Sequence, residues 1–269
     1  MRKSEADWAN IDSNPEPEQY ISFLDQMNAL AAVRRYKEKT FALLDLSTGK
    51  SLLDVGCGTG EDALTLAKFI APGKVVGVDI SNRMIEEARK RNSSCLTNLS
   101  YQVGDAHRLD FPDQTFDRCR IDRVLQHIPQ PALALKEVKR VLKPGGILVM
   151  SEPDWRTLLF GSGHTPLASK VVDTICAFIP HCQMGRSLPE LLVAAGFREI
   201  NLLAETLIVR SFSLAEKVFG LLKACERLVK DGTISKSECT SFIDDLEKRE
   251  KSGHFFAAIT GFAAQARKN

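Results

Sequence analysis

The chain has 269 residues, 44% hydrophobic and 26% charged, the balance of a globular protein that buries a core without disulfides or a structural metal. Lys+Arg 36 against Asp+Glu 34 leaves a net charge of +2, with no block of five like charges. This excludes a dedicated nucleic-acid binder, whose affinity comes largely from neutralising phosphates.

The N-terminal segment MRKSEADWANIDSNPEPEQY is polar and lacks the apolar stretch of a signal peptide. Two helices are expected after it, at 16–31 and 33–45. The run SLLDV (Ser51–Val55) predicts a first strand, followed by a glycine-rich turn and a helix from Asp62 to Ile70. KVVGVD (Lys74–Asp79) predicts the second strand, with Ser81 as N-cap of the next helix. Strands three and four are expected at Leu99–Val103 and Phe116–Ile121. Pro131 opens a helix, and Lys143-Pro144-Gly145-Gly146 stops it before a fifth strand at Ile147–Glu152.

Farther on, residues 164–180 read as helical up to Pro180, and Leu188–Ala195 as a short helix closed by Gly196. A strand is expected at Ile200–Val209. Ser213…Glu216 and Ser235…Glu238 read as capping boxes of a helical pair over 213–250. His254–Ala264 then reads as a last strand, with a helix as the alternative. The alternation of strands and helices predicts an α/β doubly wound, mostly parallel sheet. The expected organisation is a helical N-terminal segment, 1–45, acting as a lid on a domain over 46–269. Helical insertions at about 153–182 and 213–250 would form a cap.

The seven cysteines, at positions 57, 95, 119, 176, 182, 225 and 239, are odd in number and show no C-x-x-C spacing. No disulfide framework and no metal site are expected from that pattern. The longest apolar runs, Ile147–Met150 and Phe255–Ile259, fall far short of the roughly 18 residues of a membrane span. The expectation is a cytoplasmic protein with no membrane span and no nucleic-acid partner.

The chemistry concentrates in LLDVGCGTG, Leu52–Gly60. A strand delivers the chain into Gly56, Gly58 and Gly60 at the carboxyl edge of the sheet, where a ligand can approach the backbone. The dinucleotide fingerprint G-x-G-x-x-G would need a glycine where Glu61 stands, and Glu61 and Asp62 oppose a pyrophosphate. A nicotinamide oxidoreductase is therefore disfavoured. Asp79, 19 residues past Gly60, can accept both ribose hydroxyls of an adenosine, or serve only to cap the following helix. In Gly104-Asp105-Ala106 the carboxylate can accept from an adenine amine and the alanine leaves room for the ring, unless Asp105 is a plain turn residue.

LLDVGCGTG, VDIS, GDA, FDRCRIDRVLQHI and RVLKPGGILVMSEP together resemble the class I S-adenosylmethionine-dependent methyltransferases. The closest resemblance is to the small-molecule branch typified by ubiquinone and menaquinone biosynthesis. It is tight over Ser51–Pro153 and holds only in outline elsewhere. It implies a Rossmann-like fold with a seventh, antiparallel strand, S-adenosylmethionine as cofactor and S-adenosylhomocysteine as product. Carried over, Asp54, Gly56, Cys57, Gly58 and Gly60 would surround the methionine end. Asp79 would hold the ribose, with Ile80 and Met84 near the adenosine and Gly104, Asp105 and Ala106 at the adenine. Ile121, Asp122 and Gln126 would line the floor. The N/D-P-P-Y/F signature of exocyclic-amine methylation and the Pro-Cys nucleophile of C5-cytosine enzymes are both missing. Asp122-Arg123 departs from the Ser or Asn plus apolar residue of many relatives.

The implied reaction is methyl transfer to an O, N or C nucleophile of a small-molecule acceptor. The alternatives are an RNA or protein acceptor, or a non-catalytic regulator that binds the same cofactor. Such a transfer needs alignment, and for a protonated acceptor a general base. Candidate bases are Asp122, His127 and Glu152, with His164 and His181 farther along. His127 could equally pack or cap, and Glu152 could equally satisfy loop amides. Tyr20, Phe23, Met27, Tyr36, Arg123 and Trp155 are the candidate acceptor contacts, or else packing residues.

Overall fold

The computed structural model describes residue 8 and residues 10–92 and 96–269, so Cys95 lies outside the described residues. Seven strands form one sheet: β1 (Leu52–Val55), β2 (Val75–Asp79), β3 (Leu99–Val103), β4 (Phe116–Asp122), β5 (Leu142–Phe160), β6 (Arg198–Val209) and β7 (Ala257–Arg267). Their order is β3-β2-β1-β4-β5-β7-β6, and β7 runs antiparallel to both of its neighbours. The chain winds outward from β1 in both directions, so a crevice opens where β1 and β4 end side by side.

Ten α-helices accompany the sheet among the described residues: α1 (Glu18–Ala29), α2 (Ala31–Leu43), α3 (Glu61–Ile70), α4 (Asn82–Arg91), α5 (Pro131–Val141), α6 (Thr165–Ala177), α7 (Met184–Ala194), α8 (Phe212–Phe219), α9 (Leu221–Lys230) and α10 (Lys236–Lys251). Alternate strand residues serve the two faces. Leu52, Val75, Ile147 and Val149 pack with Ala63, Leu66 and Ile70 of α3 and Ile85 of α4. Leu53, Leu148 and Met150 pack instead with Leu135 and Val138 of α5 and Leu188 and Leu192 of α7. A central strand buried on both sides lacks polar alternation for this reason.

Two further clusters lie beside the sheet. Helices α6, α8, α9 and α10 form their own core around Phe219, Phe242 and Phe255, joined to the strands through Leu158, Val209 and Ile259. At the N-terminal end, Ile11, Tyr20 and Ile21 pack on Met84 of α4.

Several boundaries differ from the sequence-based expectation. The fifth strand continues past Glu152 to Phe160, because β7 pairs with Pro153, Asp154, Leu159 and Phe160 as well. Trp155 therefore stands on a strand and not in a loop. The last strand is displaced toward the C-terminus, ending at Arg267, whose partner is Ile147. Helix α7 starts at Met184, ahead of Leu188, and carries Pro189 inside it. The expected box Ser213…Glu216 does not form. Ser211 caps α8, while the Glu216 carboxylate accepts from Leu222 N at 2.7 Å and so serves the start of α9. The box Ser235…Glu238 is present on α10. The pair expected over 213–250 is thus three helices.

Candidate active site

The glycine turn is built by backbone conformation. Gly56, Gly58 and Gly60 have φ of 71°, 52° and 76°, a region that costs other residues roughly 1–2 kcal/mol each. A Cβ on Gly56 would overlap the Val124 side chain, and one on Gly60 would sit 2.6 Å from the Tyr101 hydroxyl. These two glycines therefore serve close packing. Gly58 faces the crevice, with Leu24 of α1 opposite.

Asp79 ends β2 and folds back on this turn. Its Oδ2 accepts from Gly58 N at 2.8 Å and its Oδ1 from Ser81 N at 3.0 Å. Burial raises its pKa, and the bonds from Ser81 and Gly58 partly offset that rise. A carboxylate has about four lone-pair sites, so acceptor capacity remains for two hydroxyls. Ser81 is the N-cap of α4, and Asp12 reinforces it, accepting from Asn82 N at 2.8 Å and Ser81 Oγ at 2.5 Å. A carboxylate at a helix N-terminus is favoured by the exposed amides and the helix dipole. Asp12 thereby fastens the N-terminal segment beside Asp79. Asp105 is more exposed and accepts from His107 N at 2.9 Å and from its Nδ1 at 2.6 Å.

A cavity of about 1100 Å³ runs along the carboxyl edge of the sheet. At one end it is lined by Gly56, Cys57, Gly58, Asp79, Ile80, Met84, Gly104, Asp105 and Ala106. At the other, Trp155, Ile175, Phe178, Ile179, Leu203, Leu207, Phe219 and Ile259 make an apolar wall beneath α6 and α8. Tyr20, Phe23, Met27, Tyr36, Asp122, Arg123, Gln126, His127 and Glu152 also line it. The structure therefore brings most of the sequence-derived candidates together. Three lie off the wall: Ile121 is core, Asp54 is turned beneath the floor and Gly60 is packed on Tyr101. Neither His164 nor His181 lines the cavity. His164 occupies the N-cap position of α6 without a side-chain capping bond, and His181 Nε2 bonds Ile128 O at 3.0 Å.

At the floor sits a buried ion network that the sequence reading missed, with Lys37, Asp62, Arg120 and Asp122 on the cavity lining and Asp54 behind it. Arg120, 3% exposed, lies within 2.9 Å of Asp62 Oδ2 and of Asp122 Oδ2, and 3.2 Å from Asp54 Oδ1. Lys37 of α2 meets Asp62 at 2.8 Å, and the Tyr36 hydroxyl donates to Asp122 at 2.9 Å. Burial opposes the charge of Asp122, but Arg120 and Arg123 outweigh it and hold the pKa below the usual carboxylate range. Asp54 is more poorly compensated, and burial pushes it to about 6 against the pull of Arg120. Charged residues inside a central parallel strand, Arg120 above all, were the available signal, since such a group survives burial only with partners.

The three candidate bases differ sharply. Asp122 is committed to Arg120 and Tyr36. His127 lies against Trp8, with ring centroids 5.9 Å apart. Glu152, 1% exposed, accepts through Oε1 from Val124 N at 2.8 Å and Leu125 N at 2.6 Å, while its Oε2 is buried without a partner. Gln126 Oε1 accepts from Trp155 Nε1 at 2.7 Å, which fixes the indole at the cavity wall. Arg123 has a left-handed φ of 58°, and its guanidinium lies 5.9 Å from the Tyr36 ring centroid. Among the described residues no His, Cys, Asp or Glu group has metal-binding geometry, and no helix is long and apolar enough to cross a membrane.

A doubly wound sheet with a reversed last strand, a glycine turn after β1 and a carboxylate closing β2 defines a Rossmann-like fold with a crevice at its switch point. A family described as "Methyltransferase domain" matches residues 46–194. The chain belongs to the S-adenosylmethionine-dependent methyltransferases. It is 38% identical over 251 residues, 91% of its length, to a 37.1 kDa protein of transposon Tn4556 from Streptomyces fradiae, covering 70% of that protein. It is 36% identical over 138 residues to demethylmenaquinone methyltransferase of Staphylococcus aureus, a match over 50% of this chain and 57% of that enzyme. Its fold is shared by Haemonchus contortus phosphoethanolamine N-methyltransferase 2, solved with phosphomonomethylethanolamine and S-adenosylhomocysteine. That likeness has TM-score 0.62 and 18% identity, over 96% of this chain and 59% of that one. The cyclase SpnF is similar too, with TM-score 0.55 and 24% identity over 88% of this chain and 80% of that one.

Proposed function

We propose that this enzyme methylates a small-molecule acceptor with a largely apolar body, using S-adenosylmethionine held at the glycine-turn end of the cavity. The single observation that carries this reading is the two-ended cavity. Its volume of about 1100 Å³ exceeds the roughly 300–1,000 Å³ of an ordinary single-ligand pocket. Its polar end offers backbone, Asp79 and Asp105, while its apolar end offers aromatic and branched side chains. Relatives named demethylmenaquinone methyltransferase and phosphoethanolamine N-methyltransferase lend support, because those names denote small acceptors.

The residues fit the cofactor. Asp79 keeps lone pairs for the ribose hydroxyls, Ala106 leaves space for an adenine ring, and Gly58 lets the methionine portion approach the backbone. The bound cofactor supplies an activated methyl group on a sulfonium. The protein then has to align the acceptor's nucleophile and exclude water. Trp155, fixed by Gln126, and Phe219, in edge contact with it at 6.3 Å, form the rigid part of the acceptor wall. The N-terminal segment, through Tyr20, Phe23 and Met27, closes the opposite side as a lid, and α6 and α8 act as the cap.

Two measurements test this. Calorimetric titration with S-adenosylmethionine is expected to give one site per chain. Incubation with methyl-labelled S-adenosylmethionine and a fractionated metabolite extract is expected to label a compound in the lipophilic fractions, identified by mass. Labelling confined to RNA or protein would overturn the small-molecule assignment.

A further inference from the structure

The unpartnered oxygen of Glu152 is the strongest unexplained feature of the cavity. Oε1 is occupied by the amides of Val124 and Leu125, which fixes the carboxyl and leaves Oε2 buried without a hydrogen-bond partner in a residue that lines the cavity. Val124 also touches the glycine turn, since its side chain fills the place where a Cβ on Gly56 would stand. One residue therefore separates the Glu152 carboxyl from the loop expected to hold the cofactor's methionine portion.

We propose that Glu152 is the proton-exchanging catalytic group of the site: ionised opposite the sulfonium, and protonated by the acceptor as the methyl group is transferred. The inference rests on the function proposed above and assigns an acceptor whose nucleophile carries a proton, a hydroxyl or a protonated amine. In the transfer, the X–H bond of the acceptor breaks toward Glu152 Oε2, which gains the proton. The X–CH3 bond forms as the S–CH3 bond breaks, and that electron pair stays on sulfur. For a hydroxyl acceptor, one positive and one negative charge enter the step and neither remains after it. A buried cavity favours such a pairing, because an isolated charge there is costly.

The surroundings agree. Burial pushes Glu152 up to about 8, although the Leu125, Val124 and Gln126 amides pull the other way and Asp122 adds to the rise. The charged groups around it have partners elsewhere, although Arg120 and Arg123 each keep a buried Nε without a hydrogen-bond partner. Asp122 is bound by Arg120 on β4, and Arg123 lies toward Tyr36. Asp154 on β5 is paired with Arg186 of α7. His181 is bonded to Ile128 O, and His127 is placed against Trp8. Among the described residues no ion pair joins Glu152 to a cation, so a cationic ligand favours its ionised form.

The sign follows directly. With a folded pKa near 8, Glu152 is mostly protonated at pH 7 in the free enzyme, so binding a sulfonium expels its proton. S-adenosylhomocysteine shares the same amino and carboxylate groups but lacks the positive sulfur. Calorimetry of both ligands at pH 7, in buffers of different ionisation enthalpy, counts the protons released. We expect S-adenosylmethionine to release close to one proton more than S-adenosylhomocysteine. The affinity of S-adenosylmethionine relative to S-adenosylhomocysteine should rise roughly tenfold for each unit by which pH increases toward 8, and level off above it. In E152Q, which keeps the amide-accepting oxygen, both differences should vanish. Equal proton counts for the two ligands in the wild type would overturn this inference and leave the proposed function standing. A proton difference that persists in folded E152Q would overturn the assignment to Glu152. Failure of both ligands to bind would overturn the proposed function, and this inference with it. The wild-type comparison decides alone if E152Q does not fold.

Discussion

Replacing Arg120 by methionine should unfold much of what the floor of the site holds together. The side chain is 3% exposed and is the common partner of Asp54, Asp62 and Asp122, carboxylates drawn from β1, α3 and β4. Methionine fills a similar volume, so little cavity term is added. The cost is electrostatic: the only cations left to the three carboxylates among the described residues are Lys37, bound to Asp62, and Arg123, 3.7 Å from Asp122. Removing one member of a buried ion network costs about 3–5 kcal/mol. For a chain of this size that corresponds to a fall in Tm of roughly 6–20 °C. The deficit should depend on pH in a defined direction. Asp54 has a folded pKa of about 6 even with Arg120 present, and losing the cation raises it further. A carboxyl with a raised folded pKa destabilises progressively as pH climbs from its unfolded value, about 3.9, to its folded one. The gap between variant and wild type should therefore be largest at pH 8 and shrink toward pH 5. Urea denaturation at both pH values provides the assay. A variant with an unchanged midpoint at pH 8, or a gap that widens on acidification, would refute the reasoning.

Asp79→Ala removes the expected acceptor of two ribose hydroxyls and also frees Gly58 N and Ser81 N. Hydrogen bonds to a charged group are worth about 1.5–3 kcal/mol each, so calorimetry should show a Kd for S-adenosylmethionine at least tenfold to a hundredfold higher. Unchanged affinity would remove the ribose assignment. Deleting residues 1–30, of which 1–7 and 9 lie outside the described residues, removes Asp12 from the start of α4 and Tyr20 and Ile21 from Met84. Label transfer should be abolished while cofactor affinity falls much less, and a folded truncation with full activity would show that the segment is no lid.

What the sequence made legible was whatever depends on local geometry. A strand entering GCGTG, a carboxylate ending the next strand and Gly104-Asp105 after the third occupy fixed positions along the chain, and winding the sheet brings them to one edge. The network around Arg120 was illegible because its members come from four separate elements, and only their convergence gives the arginine a reason to be buried. The extent of β5 was hidden by Pro153 and Asp154, which read as the end of a strand. Pairing with β7, whose residues lie far along the chain, carries it onward. Ser213 and Glu216 matched a capping box locally, yet the Glu216 carboxylate was claimed by α9 and Ser211 took the cap. Glu152 was visible as a polar residue after an apolar run, but its division into one satisfied and one open oxygen depends on amides of the loop after β4.

A crystal structure of the enzyme with S-adenosylhomocysteine tests the central claim most directly. The account predicts adenine beside Asp105 and Ala106, ribose hydroxyls on Asp79, and the homocysteine running past Gly58 toward Glu152, with the apolar end under Trp155 and Phe219 left open for an acceptor. A nucleoside seated instead in the apolar end, or away from Asp79 altogether, would contradict it.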